Sequence, residues 1–516
     1  MLKKVSMVIM VVACVALLAP TSAMSQDKVD QLEKKIQSME VQLNELKTML
    51  QSQQVAPAAP AAPIAPGKSE MTLIGKGGTL EIGGDIRFRG LFFDNLWDFE
   101  GTNDFDQREV FRFRPRVYFD WKPTDNMEAY VRVAKEWFYG QDNERLGYEV
   151  EGKDVMFDNA WGQYTDIMGT GLSLRLGRQD LIYGDGFVIL DGTPQDGSQT
   201  IAFDAAKLTY AHDWGSSDLI YAKLHENNYS GSDDEDLYGL YNKFKFDDYG
   251  LGLEPYFLVR NKNDASDTTG IGPATYPFHA YDPSPKEETF LLGGRATYNL
   301  DVVEDVNLAF AAEGGKQFGE MDFTGSPLVG ANPAHGYSRF GGDDTVDRDA
   351  WGGQFHGTLS FKSVPWTPSV KAGISYMSGD DPNTADYEGW DDFYGQWPKY
   401  SELYVYSLYD GFKFLNGAND TDVGVWSNMI IPELKISMKP TDRWTQTLRG
   451  LYFLADEENG PGGGDERGLN LQWLTDYKFT KNLSGHVLFE WMDPGDYYAP
   501  DADDALFTRF QIMYTF

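Results

Sequence analysis

The chain has one cysteine, Cys14, so no disulfide can form within it. It is poor in positive charge: 44 Lys and Arg stand against 79 Asp and Glu, for a formal net charge of −35. A nucleic-acid partner would need a basic stripe, and that balance excludes one. Histidine is sparse as well. The six, at 212, 225, 279, 335, 356 and 486, share no metal-ligand spacing, and no nucleophile motif accompanies them. We therefore expect no enzyme, no cofactor and no metal site. An outer-membrane hydrolase built from His and Ser on a barrel wall is the minor alternative. Finally, no run after the first twenty residues reaches the ~18 apolar residues of a spanning helix. With a mean hydropathy of −0.44, a helical membrane protein is excluded. A β-barrel is not, because only alternate strand residues meet lipid and its loops are solvated.

What is present starts with an export signal. Lys3 and Lys4 precede the apolar run Val5–Leu18, and Thr21-Ser22-Ala23 follows, a secretory signal (1–23) cleaved after Ala23. A lipoprotein signal at Val11-Val12-Ala13-Cys14 is the rival reading. Residues 28–50 then carry a heptad series: Val29, Leu32, Ile36, Met39, Leu43, Leu46 and Leu50. That spacing keeps an apolar seam on one face and predicts a short coiled-coil helix. Self-association and a lone amphipathic helix resting on a partner both fit it. A Pro/Ala-rich linker covers 51–79.

From residue 80 to the end, period-2 alternation recurs. The spacing predicts strands near 80–92, 108–121, 127–139, 157–166, 172–178, 202–211, 217–225, 236–246, 250–261, 288–299, 306–316, 349–362, 368–378, 427–439, 443–455, 467–479, 483–492 and 505–516. The number is even, as in bacterial single-chain barrels. Short spacers, such as Lys122-Pro123-Thr124-Asp125 and Thr480-Lys481-Asn482, alternate with long ones, such as 179–201, 262–287, 317–348 and 379–426. Short periplasmic turns and long external loops give that pattern when both termini lie inside. The last strand places Leu506, Thr508, Phe510, Ile512, Tyr514 and Phe516 on one parity and stops on an aromatic. The fold class expected is all-β: a transmembrane antiparallel barrel of about 18 strands over 80–516, behind a short N-terminal helix.

Alternation also orients charge. In Phe111-Arg112-Phe113-Arg114-Pro115-Arg116-Val117-Tyr118-Phe119 the arginines share one face and Phe111, Phe113, Val117 and Phe119 the other. An arginine facing lipid costs ~2–4 kcal/mol at the midplane, so Arg112, Arg114 and Arg116 should face the lumen. Arg87 and Arg89 follow by the same rule beside Ile86 and Phe88, as do Arg132 and Arg175. Two readings stand for this column. It lines an anion path, where guanidinium forks bind carboxylates, or it packs the lumen against Asp85, Asp120, Glu128 and Glu136. Pro115 lacks a ladder donor and calls for a bulge or a position near the rim.

The acidic runs at 233–236, 343–344, 380–381 and 501–504 lack ordered Ca²⁺-ligand spacing and read as solvated loop charge. The spacer 379–426 is different. It holds Trp390, Phe393, Tyr394, Trp397, Tyr400, Tyr404, Tyr406, Tyr409, Phe412 and Phe414, which suit sugar stacking, a plug folded into the mouth, or an apolar cluster within the loop.

The stretch 172–208 carries three pieces in order: Leu176-Gly177-Arg178-Gln179, Tyr183-Gly184-Asp185-Gly186 and Phe203-Asp204. It resembles the signature region of the alginate export family of bacterial outer-membrane barrels. The resemblance implies an eighteen-stranded barrel in the outer membrane that exports anionic polysaccharide through an arginine-lined lumen. Carried over by position, it implies that Arg178, Asp185 and Asp204 lie at or near that lumen. The alternative is a porin for general or small anionic solutes. Expected partners are an anionic polymer or small anions, outer-membrane lipid, and a second copy through 28–50, with that helix and the linker in the periplasm.

Overall fold

The structure, a computed structural model, describes residues 71–75, 77–95, 99, 108–139, 155–190, 203–226, 234–263, 286–322, 345–396, 398–406, 426–458, 460 and 462–516. The signal, the heptads and the Pro/Ala stretch before residue 71 lie outside them, as do the middles of several long loops.

Twenty strands form one antiparallel sheet: β1 Met71–Gly75, β2 Gly78–Asp94, β3 Arg108–Thr124, β4 Met127–Ala134, β5 Trp137–Tyr139, β6 Met156–Tyr164, β7 Leu172–Gln179, β8 Phe203–His212, β9 Gly215–Glu226, β10 Asp234–Phe246, β11 Leu251–Lys262, β12 Lys286–Val303, β13 Val306–Asp322, β14 Thr345–Phe361, β15 Ser369–Met377, β16 Met429–Thr441, β17 Trp444–Leu454, β18 Glu466–Lys478, β19 Leu483–Pro494 and β20 Ala505–Thr515. Strands pair in sequence order, except that β5 pairs with β3 and β4 with β6. β20 pairs with β2 from Thr515↔Asp85 to Leu506↔Asp94, which closes the barrel. The terminal Phe516 completes that seam by exchanging both backbone hydrogen bonds with Gly84, at 2.9 and 3.0 Å.

Two of the twenty strands are not separate staves, so the barrel has eighteen. β1 is a short hairpin partner along the lower part of β2, inside the stretch expected to be linker. It escaped detection because Met71-Thr72-Leu73-Ile74-Gly75 is too short to show alternation. β4 and β5 are two halves of one stave on β3, interrupted at Lys135-Glu136. The interruption belongs to Pro115. Its carbonyl accepts a bond from the Lys135 N–H at 3.2 Å, and proline has no N–H to return. The register continues unshifted from Arg116↔Ala134 to Phe113↔Trp137. The expected bulge or rim position is therefore corrected: the neighbouring strand breaks instead.

Side chains alternate across the wall as the patterning requires. Ile86, Phe119, Leu176, Tyr221, Leu292, Trp351 and Phe355 are exposed outside, whereas Ala222, Leu258, Leu291 and Ala350 are buried inside. On the outer surface beside the closing seam, Phe88, Phe92, Phe111 and Phe510 pack together with centroids 5.7–6.3 Å apart. Short turns gather at one end and long loops at the other.

Candidate functional site: two loops folded into the barrel

The barrel interior is occupied by its own chain. After β7, Tyr183-Gly184-Asp185-Gly186 makes a tight turn in which Gly184 (φ +57°) and Gly186 (φ +78°) take left-handed backbone, a conformation open to glycine. A Cβ on Gly184 would sit 2.9 Å from Arg295 Cδ on the opposite wall, so the glycine also permits the close approach. The Asp185 carboxylate accepts a 2.5 Å bond from Gln354 Nε2 of β14. Lys399 Nζ donates to the Asp185 carbonyl at 2.8 Å and lies 3.7 Å from its carboxylate. Burial alone would push the Asp185 pKa up; Lys399 and Arg295 outweigh it and bring it down to about 2. Burial lowers the pKa of Lys399.

The second loop follows β15. It runs beside the first through a parallel bridge at Ile189↔Tyr394, with Tyr394 N–H donating to Val188 O at 3.0 Å and Gln396 N–H to Gly186 O at 2.9 Å. Trp390 is fully buried, stacks on Phe187 at 5.5 Å and lies against Gly352. Asp391 binds Arg260, whose Nη2 also reaches Glu287 at 2.7 Å, and Arg348 meets Glu287 at 2.8 Å. Such buried ions must be paired to be tolerated. Farther along, Glu490 accepts from Ser401 Oγ at 2.7 Å and from the Glu402 N–H at 3.1 Å, and Arg509 pairs with Glu402. Tyr404 bonds Tyr498 at 3.0 Å, and Tyr498 packs on Phe99. Of the readings open for the aromatic loop, a plug folded into the barrel describes Trp390, Phe393, Tyr394, Tyr400 and Tyr404; Trp397, Tyr409, Phe412 and Phe414 lie outside the described residues.

The arginine column lies on the inner face. Arg87, Arg89, Arg112, Arg114 and Arg116 are all buried. Glu136 binds Arg87 at 3.2 Å and Arg112 at 3.1 Å; Asp85 binds Arg116 at 2.8 Å and Arg114 at 3.4 Å; Arg89 donates twice to Gln511, at 2.6 and 3.0 Å. Arg132 binds Asp158 at 2.5 Å and Asp180 at 3.5 Å. Asp120 and Glu128 instead meet Lys122. Arg175 differs from the rest. It donates to the neutral Gln163 at 2.6 Å and lies 3.8 Å over the Trp161 ring.

Asp185 is inside, but Arg178 and Asp204 are not. They face each other across β7 and β8 and form a two-bonded ion pair at 2.8 Å, with side chains 38% and 51% exposed. Their neighbours Gln179, Phe203 and Ala205 are the buried ones. Alternation therefore puts this pair on the outer surface, near the loop end of the wall, and corrects the lumen position implied by the resemblance.

The interior also holds cations that sequence reading missed. Lys207 of β8 has no hydrogen-bond or ion-pair partner among the described residues. Lys243 of β10 lies over the rings of Tyr183 and Tyr241, at 4.8 and 5.8 Å. Lys371, Lys435 and Arg449 form a cross-strand row on β15, β16 and β17. All were legible by the rule that oriented the arginines, but none belongs to a run of three like Arg112, Arg114 and Arg116. Among the described residues no group of three His, Cys, Asp or Glu side chains is placed to hold a metal.

Comparison with known proteins places this geometry. The alginate export family model matches residues 79–507. No curated protein matches the chain. Among solved structures, the chain is similar to Pseudomonas aeruginosa OccK8 (OprE), at 12% identity over 85% of this chain and 98% of that one, TM-score 0.48. It is similar also to OccK11 (OpdR) of that organism, at 11% identity over 84% and 95%, TM-score 0.49. A third is OccD3 (OpdP), at 12% over 88% and 95%, TM-score 0.48.

Proposed function

We propose, for a chain that belongs to the alginate export family and is an outer-membrane β-barrel channel, that its cargo is anionic. The observation that carries this is a set of inward cations with no carboxylate ion-pair partner among the described residues: Arg175, Lys207, Lys243 and Lys435. Charge held beside a low-dielectric wall focuses field along the path and raises the local concentration of the opposite charge. The buried arginines Arg87, Arg89, Arg112, Arg114, Arg116 and Arg132 shape the same wall, while pairs with Asp85, Glu136 and Asp158, and the bonds of Arg89 to Gln511, hold it together. The surface acids behind the net charge of −35 act over only about 8–10 Å at physiological salt.

Two cargoes fit an anion path: an anionic polysaccharide, in keeping with the family, and small anionic solutes. The second is favoured by the filling of the interior by the loops around Asp185 and Trp390, which leaves little room for a polymer. In this reading residues 1–23 direct export, 28–50 form a periplasmic helix that pairs with a second copy, the rest of 51–79 links it, and 80–516 is the pore. Purified protein in a planar bilayer under a KCl gradient tests the anion path. A reversal potential of the sign for chloride preference supports it, and potassium preference persisting at high salt removes it.

A further inference from the structure

The pore does not use Arg178 and Asp204, whose ion pair stands on the outer wall at the loop end. An exposed pair of this kind adds little stability, so stability does not account for its place above an apolar strip. The pair opens an outward row in which each residue stands opposite the next: Arg178, Asp204, Lys223 and Asp236, on β7 to β10. The same row ends, on β12 to β14, in the acids Glu288, Glu320 and Asp347. One step toward the turns, the outward row is Gly162, Leu176, Ala206, Tyr221 and Tyr238. A Cβ on Gly162 would meet nothing within 4 Å. Ala206 sets the wall back between Leu176 and Tyr221, which are 51% and 41% exposed. Below them Leu174, Leu208, Leu219 and Leu240 make a third row.

We propose that this strip of the outer wall, from β6 to β10, seats a phosphorylated glycolipid of the outer leaflet. A guanidinium has five N–H donors. Asp204 takes two of those on Arg178, each at 2.8 Å, and the Phe157 carbonyl a third at 3.2 Å. The two that remain meet phosphate oxygens. Lys223, two strands or about 9–10 Å along the row, adds a second cation; its ammonium also meets Asp234 at 2.9 Å and Asp236 at 3.6 Å. Asp204 and Asp236 would repel a bare phosphodiester, but they accept the hydroxyls that a sugar sets beside its phosphate. Tyr221 donates to Asp236 at 3.0 Å and packs on Tyr238 at 5.2 Å, as aromatic rings do at the membrane interface. Acyl chains follow over Gly162 and Ala206 onto the leucine row. Charge selects the place, because Glu288, Glu320 and Asp347 repel the same headgroup farther along the wall.

The test is retention of added lipid by the purified protein in detergent, read by native mass spectrometry, with diphosphoryl lipid A and phosphatidylglycerol as probes. Three variants are compared with the wild type. Arg178→Gln combined with Asp204→Asn removes the pair and orphans neither partner. Gly162→Leu fills the strip without touching charge, and Glu320→Gln alters the acidic end of the row. The wild type should retain one lipid A, and more tightly than phosphatidylglycerol. Loss of a charge-assisted contact should weaken that retention by about tenfold or more in the double variant. Gly162→Leu should weaken it too, and Glu320→Gln should not. Undiminished retention in the double variant or in Gly162→Leu, an equal loss in Glu320→Gln, or equal retention of phosphatidylglycerol overturns the site. Unaltered heat-modifiable migration and single-channel conductance show that the variants are folded barrels with the inner wall intact.

Discussion

Trp390 lies flat against Gly352: a Cβ added at 352 would stand 2.5 Å from the indole. The second loop thus docks on a wall position that has no side chain. Gly352→Ala should cost ~1–3 kcal/mol through overpacking and loosen the loop. We expect larger single-channel conductance and faster proteolysis within 378–406, with the barrel itself intact. An unchanged conductance and cleavage rate would show that the loop tolerates the methyl group.

The Arg260–Asp391 pair fixes the same loop to β11. Asp391→Ala leaves Arg260 and Arg348 sharing Glu287, and breaking such a buried pair costs about 3–5 kcal/mol. The effect should be confined to the loop: conductance rises as in Gly352→Ala, while the temperature of barrel unfolding, read by heat-modifiable migration, changes little. A large drop in that temperature would mean that the loop braces the whole barrel.

Asp185 supplies the pH dependence. Its folded pKa, about 2 against an ordinary 3.8, is depressed. The stabilisation it gives the loop is therefore present above the ordinary value and is lost as pH falls through about 2. Conductance should hold steady from pH 7 to 4 and rise only as the pH falls further, and Asp185→Asn should remove that rise. A rise already complete by pH 5 would assign the titration to other groups.

Orientation follows from loop length and is tested by labelling. The native Cys14 falls in the predicted signal, which leaves the mature chain clear for introduced thiols. Cysteines at Asp501 and Asn383, exposed on the loop end, should react with an impermeant maleimide on intact cells. Those at Asp125 and Lys481, on the turn end, should not. The opposite pattern would invert the barrel.

The staves were legible because one physical rule governs them: alternate residues meet lipid, and period 2 survives in every strand. Each of the eighteen expected strands corresponds to a stave. The observed ends run farther where strands stand above the alternating band, as in Gly319-Glu320-Met321-Asp322 of β13, a polar stretch that gives no apolar signal. The site was less legible. Parity alone places Arg178 with Leu172, Leu174 and Leu176 on the outer face; the family motif drew it inward, and the local pattern was right. The aromatic loop could be recognised as a packing cluster, but its seat could not. Gly352 and Phe187 are distant in sequence, and nothing local announces that a glycine faces an indole. Lys371, Lys435 and Arg449 are scattered over three strands, and only the register joins them.

The central claim, that inward cations make an anion path, is met most directly by removing charges whose loss orphans no acid. Arg175 binds Gln163 rather than a carboxylate, and neither Lys207 nor Lys435 has an ion-pair partner among the described residues. Replacing Arg112, Arg114 and Arg116 would instead strand Asp85 and leave Glu136 only its bond to Arg87. Reversal potentials should therefore be compared between the wild type and the triple variant Arg175→Gln, Lys207→Gln, Lys435→Gln, with salt high enough to screen the loop acids. The account predicts chloride preference in the wild type and its loss in the variant. Potassium preference in the wild type at high salt, or chloride preference undiminished in the variant, would contradict it.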